Sequence, residues 1–216
     1  VHTVKPGDHV ITCLSAFCGH CEHCLTGHMS RCVSPETRRQ AAEEPRLEQG
    51  GLAMNQFLNL SSFAEYMLIH EHACVAIRKD MPLELAALIG CGVITGYGAV
   101  VNTAKVTAGE TVAVIGCGGV GMAGINGAAI AGAGRIIAID NNPAKLQLAT
   151  KLGATDIVDP ANGDVVQQVK ELTGGGVNHA FEMLGRKETA EQAFAMLAQG
   201  GTATIIGMIP VGQKIE

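Results

Sequence analysis

The feature that most constrains this chain is a glycine run, Gly116-Cys117-Gly118-Gly119-Val120-Gly121, lying directly after the apolar stretch Thr111 to Ile115. A Gly- and Ala-dotted, helix-like run follows from Met122 to Ala133. Strand, glycine turn and helix in that order open a dinucleotide-binding unit: the first glycine permits the tight turn, the second lets main chain approach a pyrophosphate, and the third (Gly121) lets helix and strand pack closely. The helix start then presents amides to the anion. Nineteen residues after Gly121, Asp140 ends the next apolar run, where a carboxylate can accept from the hydroxyls of an adenosine ribose. A 2′-phosphate would meet that negative charge, and Asn141-Asn142 stand where a phosphorylated ribose calls for Arg, so NAD is expected over NADP. Lys145 either reaches the same ribose or stays a solvated lysine on the first helical turn. Cys117 reads as a small buried apolar residue.

Around this loop the texture alternates between apolar strand runs and helical segments, the pattern of a parallel sheet built by crossovers. The expected strands are Thr111 to Ile115, Arg135 to Asp140, Asp156 to Asp159, His179 to Met183 and Thr202 to Gly207. Pro143 starts one helix and Gly153 ends it. A doubly wound dinucleotide fold wants six strands, so the last is expected beyond Glu216. Ahead of the alternation, the polar stretch Ser34 to Gln49 reads as a solvated loop, and the apolar runs Phe57 to Leu60 and Tyr66 to Ile69 read as small strands. The boundary falls between Cys91 and Thr111, giving a first domain over 1–94 and a dinucleotide domain over 95–216.

Lys+Arg at 15 against Asp+Glu at 20 leaves a net charge of −5, which offers nothing to nucleic acid or an anionic membrane. No uninterrupted apolar run reaches the ~18 residues of a membrane span, and Val1-His2-Thr3-Val4-Lys5 lacks a secretory core. A soluble, cytoplasmic protein is expected. The chain begins without Met and stops just after a strand-like segment, so both ends are suspected cuts.

Cys18-x2-Cys21-x2-Cys24-x7-Cys32 supplies four thiolates at spacings that can close on one tetrahedral zinc with no open position, hence a structural site. Disulfides are the weaker reading without an extracellular context. An iron–sulfur run would place its fourth cysteine three residues on, followed by Pro, whereas Val33 follows Cys32 here. The interleaved His20, His23 and His28 read as loop residues, and Cys13 and Cys74 as core.

In this order the features resemble a zinc-dependent alcohol dehydrogenase of the medium-chain dehydrogenase/reductase superfamily. The likeness rests on Gly7-Asp8-His9-Val10, the four-cysteine lobe, Gly90-Cys91-Gly92 with Thr95-Gly96-Tyr97-Gly98, and Gly116 to Gly121 with Asp140. It implies an α/β chain in which a doubly wound parallel Rossmann sheet is joined to part of a GroES-like, partly open β-barrel carrying the zinc lobe. It further implies that Cys91 is one ligand of a second, catalytic zinc, and that Thr95, Val120, Ile206, Gly207 and Met208 border the nicotinamide cofactor. The other two protein ligands it implies, a Cys and a His, belong ahead of the lobe; His9, His70 and His72 do not match that motif. The isolated chain is therefore expected to be inactive, while its parent exchanges hydride between a small alcohol or aldehyde and NAD(H) and assembles as a homodimer or homotetramer. A thiol-dependent formaldehyde dehydrogenase of the same superfamily would share every motif quoted, and a non-catalytic NAD- and zinc-binding module is the rival of another class.

Overall fold

Residues 1–90 are organised around two small antiparallel pairs rather than one sheet. The computed structural model describes residues 1–40 and 42–216, and divides them into compact units Val1–Gly90 and Cys91–Glu216. The division lies a few residues ahead of the 94/95 boundary drawn from sequence. Among the described residues, the strands of the first unit are β1 (His9–Thr12), β2 (Leu47–Gln49), β3 (Leu52–Met54) and β4 (Cys74–Ile77). β1 pairs with β4, and β2 with β3 across Gly50 and Gly51, whose φ values of 59° and 80° are what a two-residue hairpin turn of the type I′ kind demands. A short helix, α1 (Glu22–Leu25), sits within the cysteine lobe, and a second, α2 (Leu83–Ala86), begins a helical run over Leu83–Thr103.

Three expectations of secondary structure fail in this unit. Phe57–Asn59 is a turn of 3-10 helix, not a strand: Leu58, Asn59 and Ser61 have φ of 52°, 58° and 51°, a left-handed path no strand can follow. Tyr66 to Ile69 forms no strand either; Tyr66 is 91% exposed, and apolarity alone does not supply a pairing partner. The reading of 34–49 as loop includes Ala41, which lies outside the described residues, and fails at Leu47–Gln49, where the Gly50-Gly51 turn recruits the end of a polar stretch into β2.

The second unit contains the parallel sheet. Helix α3 (Ile94–Gly98) leads to β5 (Thr111–Ile115), α4 (Gly119–Ile130), β6 (Arg135–Ile139), α5 (Pro143–Lys151), β7 (Asp156–Val158), α6 (Val165–Thr173), β8 (Val177–Glu182), α7 (Lys187–Ala195) and β9 (Leu197–Ile205). All five strands run parallel in the order β7-β6-β5-β8-β9, so the chain winds outward from β5 first one way and then the other. Alternate residues of each central strand enter opposite cores. Val112, Val114, Ile136, Ala138 and Phe181 meet Ile125 and Ala128 of α4 on one face, while Ala113, Ile115, Ile137, Ile139 and Ala180 meet Val165 and Val169 of α6 and Ala193 of α7 on the other. Each fully buried Val, Ile or Phe contributes roughly 1.5–3 kcal/mol, so this two-sided burial holds the strand ends in fixed register. The strand expectations for this half hold to within a few residues; β9 starts earlier, at Leu197, after a register shift between Val177 and His179.

The helical run Leu83–Thr103, at 21 residues and mean hydropathy 1.7, is long and apolar enough to cross a membrane by length and composition. Its use in the second unit is packing: a Cβ on Gly96 would lie 2.1 Å from the Val120 carbonyl oxygen, so α3 meets α4 backbone to backbone.

Candidate functional site

Gly116 leaves β5 with φ of 96° and donates its amide to the Ile139 carbonyl at 2.8 Å, which ties the turn to the end of β6. A Cβ on Gly121 would stand 1.8 Å from the Gly116 carbonyl oxygen, so the first turn of α4 can close over the loop only with glycine there. Gly118 and Gly119 differ: a Cβ at either meets nothing within 4 Å. Gly118 is the N-cap of α4, and no side chain caps that helix start. The amides of the first turn therefore face open space that a polyanion can enter, and the two glycines leave room for it. The loop fits a dinucleotide pyrophosphate on its own geometry.

Asp140 follows β6 and is buried at 6% exposure. Its Oδ2 accepts from the Cys117 amide at 2.8 Å, its Oδ1 accepts from the Asn142 amide at 2.9 Å, and Lys145 Nζ stands 3.7 Å from Oδ2. Each oxygen keeps a lone pair, and the carboxyl lines a cavity of about 480 Å³ at the C-terminal ends of β5, β6 and β8 with Ile115, Ile139, Lys145, Leu184 and Arg186. In an open α/β sheet this is the edge where ligands bind. Cys117 is buried, and its thiol is pushed up to about 12 by desolvation and then by the Asp140 charge, so it stays an inert packing group.

The remaining residues expected to border the cofactor are only partly gathered. Thr95 and Ile206 line one groove of about 480 Å³ between α3 and β9. Gly207 packs against Gly185, Val120 is half-buried on α4, and Met208 is 93% exposed. Cys91 is exposed on a π-helical turn, Ile89–Val93, and lines neither cavity.

In the lobe, the sulfurs of Cys18, Cys21, Cys24 and Cys32 all lie within 4.8 Å of one another, with Cys21–Cys24 at 3.5 Å and Cys18–Cys24 and Cys21–Cys32 at 3.9 Å. Four sulfurs around a zinc at ~2.3 Å would be spaced about 3.8 Å apart, so the set is already close to tetrahedral. Amides of Cys18 and Cys21 point at Cys32 Sγ and Cys18 Sγ, each at 3.3 Å, as they would toward thiolates. Desolvation pushes the Cys18 thiol up, but amides of His20 and Cys21 overcome it and hold the group at about 6. Desolvation first, and then the neighbouring sulfurs of Cys21, Cys18 and Cys32, drive the Cys24 thiol up to about 11. His20 and His28 are exposed and His23 half-buried; His20 lies 3.3 Å from Glu36, which with Cys18 forms the other metal-compatible group among the described residues. Cys13 and Cys74 are half-buried rather than core, Cys74 at the start of β4 and Cys13 just after its partner β1.

Residues 1–79 match the alcohol dehydrogenase GroES-like domain family and residues 119–216 match the zinc-binding dehydrogenase family. The chain belongs to the medium-chain zinc alcohol dehydrogenase family. It is 41% identical to an S-(hydroxymethyl)glutathione dehydrogenase of Synechocystis sp., over 100% of this chain and 60% of that relative. Among solved structures, benzyl alcohol dehydrogenase from Acinetobacter calcoaceticus matches with a TM-score of 0.87 and 34% identity, over 100% of this chain and 59% of the other. A protein described as a zinc-binding dehydrogenase, from Sinorhizobium meliloti 1021 and bound to NADP, matches with a TM-score of 0.77 and 29% identity, over 100% and 58%. The chain thus spans about 60% of the length of the curated relatives it matches.

In this chain of the zinc alcohol dehydrogenase family, sequence reasoning missed Leu184, Arg186, Thr189 and Gln192, which line the cavity beside Asp140, and Glu182, which accepts from Thr189. A signal for them existed. They follow the fourth strand of the series, and the strand on the far side of the switch point must supply the opposite wall of a ligand crevice.

Proposed function

We propose that the protein containing this chain is a zinc-dependent oxidoreductase that passes hydride between a small alcohol or aldehyde and NAD(H). The observation that carries this reading is the uncapped start of α4, where Gly118 and Gly119 open onto space beside a buried, amide-held Asp140. In this reading the first-turn amides of α4 hold the pyrophosphate, and Asp140 with Lys145 holds the adenosine ribose in the 480 Å³ cavity. Thr95, Val120 and Ile206 to Met208 orient the nicotinamide half. Bound zinc would supply the Lewis acid that lowers an alcohol's pKa, with Cys91 as one ligand, while the nicotinamide carries the redox chemistry. The four-cysteine lobe would hold a second, structural zinc.

NAD is the cofactor of choice in this reading because a 2′-phosphate would be driven against Asp140, although the Sinorhizobium relative is NADP-bound. The cytoplasm is supported by eight free cysteines, four of them gathered as metal-ready thiols, which a reducing compartment preserves. A dimer or tetramer is part of the same reading. The name of the Synechocystis relative favours a second substrate, S-(hydroxymethyl)glutathione.

The test is a calorimetric titration of zinc-loaded protein with NADH and NADPH, followed by reduced-cofactor assays over a panel of alcohols including S-(hydroxymethyl)glutathione, with and without chelator. Tighter binding of NADH and chelator-sensitive turnover are expected. Folded, zinc-loaded protein that gives no heat with NADH would end this reading.

A further inference from the structure

Glu182 ends β8 at 0% exposure, and no step of the proposed reaction uses it. Its Oε1 accepts from the amides of Leu184 at 2.9 Å and Gly185 at 2.8 Å and from the Thr189 hydroxyl at 2.7 Å. Leu184 and Thr189 both line the 480 Å³ cavity. The other oxygen, Oε2, is buried without a hydrogen-bond partner and faces Gly207, where a Cβ would lie 2.5 Å from it and 1.9 Å from the Gly185 amide nitrogen. The Glu182 main-chain carbonyl accepts from the amides of Ile206 at 2.9 Å and Gly207 at 3.1 Å. One residue therefore ties together the turn after β8, the first turn of α7 and the turn after β9.

For folding alone this is a poor arrangement. A buried carboxyl with one bare oxygen costs free energy that an apolar side chain of similar volume would avoid. What the carboxyl does, and an apolar group cannot, is fix three donors on one point directly behind the cavity wall. We propose that Glu182 is a positioning residue for the dinucleotide: it sets Leu184, Gly185 and Thr189 as the wall facing the adenosine half. The inference rests on the reading that this cavity takes that half.

The test measures ADP-ribose and inorganic pyrophosphate binding by calorimetry on the zinc-loaded protein, comparing wild type with Glu182→Gln and Thr189→Val. Gln exchanges the carboxyl acceptor shared by all three donors for a weaker amide oxygen and puts an NH2 where Oε2 finds no partner, whereas Val removes a single donor while keeping shape. The expected result is about tenfold weaker ADP-ribose binding for Glu182→Gln and roughly threefold for Thr189→Val, with pyrophosphate affinity, which depends on the start of α4, unchanged in both. Unaltered ADP-ribose affinity, or equal loss of both ligands, overturns the inference. If Glu182→Gln fails to fold, Thr189→Val decides by the same criterion. Wild-type protein that binds no ADP-ribose overturns the functional reading itself, an outcome separable from any difference between variants.

Discussion

The two units of this chain solve the same problem by different means. Among the described residues before Cys91, the buried apolar side chains are Cys32, Ala73 and Ala86, whereas Phe57, Phe63, Tyr66 and Leu68 stand 69% exposed or more. In the second unit, Val112, Ala113 and Val114 of β5 are at 0% exposure, and both faces of the sheet are covered. One unit carries a two-sided hydrophobic core within this chain; the other gathers four sulfurs at one point. At such a lobe the free energy of metal binding is also folding free energy, so the order of the lobe is tied to its ligand.

The largest expected effect breaks this comparison directly. A structural zinc site is worth on the order of 10 kcal/mol, so Cys32→Ser should release the lobe's metal and unfold the lobe. Metal analysis should fall from about one tightly held zinc per chain, while NADH binding by the second unit persists. NADH affinity lost in parallel with zinc would mean that the Rossmann unit is not self-sufficient.

Within the second unit, two glycines of one loop sharpen the contrast between packing and ligand. Gly121→Ala drives a methyl into the Gly116 carbonyl and should lower stability by about 2–4 kcal/mol, seen as a lower thermal midpoint without ligand. Gly118→Ala meets open space at φ of −79° and should leave that midpoint alone while weakening NADH. Equal midpoints for both variants would show that loop closure does not depend on Gly121.

Asp140→Ala is expected to have a smaller and more selective effect. It removes a charge held by the Cys117 and Asn142 amides, and should narrow the preference for NAD over NADP by about tenfold. Unchanged relative affinities in a paired titration would remove Asp140 from cofactor choice.

The same contrast decides what could be read from sequence. The second unit was legible because its signals are local: apolar runs of strand length, a glycine loop at fixed offsets, Pro143 and Gly153 around one helix. The lobe was legible as a ligand set because cysteine spacing is a chemical signal. The rest of the first unit was not, since β2 and β3 are exposed and carry no apolar pattern, and Phe57 to Leu60 bends through left-handed residues that composition does not announce. Glu182 was hidden for a different reason: a glutamate at a strand end reads as solvent-facing until the turns that bury it are known.

The smallest expected effect lies at the opposite end of the sheet from the glycine loop. Glu110, just before β5, accepts from the Thr107 amide at 2.7 Å and lies 3.1 Å from His179 Nε2. These contacts, the Thr107 amide foremost, hold its carboxyl below the ordinary 4.5 despite opposing desolvation. A depressed carboxyl binds its proton first in the unfolded chain, so its contribution is complete above pH ~4.5 and disappears as the pH falls through the folded value. Partial exposure keeps that contribution to a fraction of a kcal/mol. Glu110→Gln should therefore flatten the acid limb of the second unit's denaturation curve below about pH 4.5 and leave NADH affinity at neutral pH untouched. An acid limb identical to wild type would assign that sensitivity to other carboxyls, whereas altered NADH affinity would mean that the two ends of the sheet are coupled.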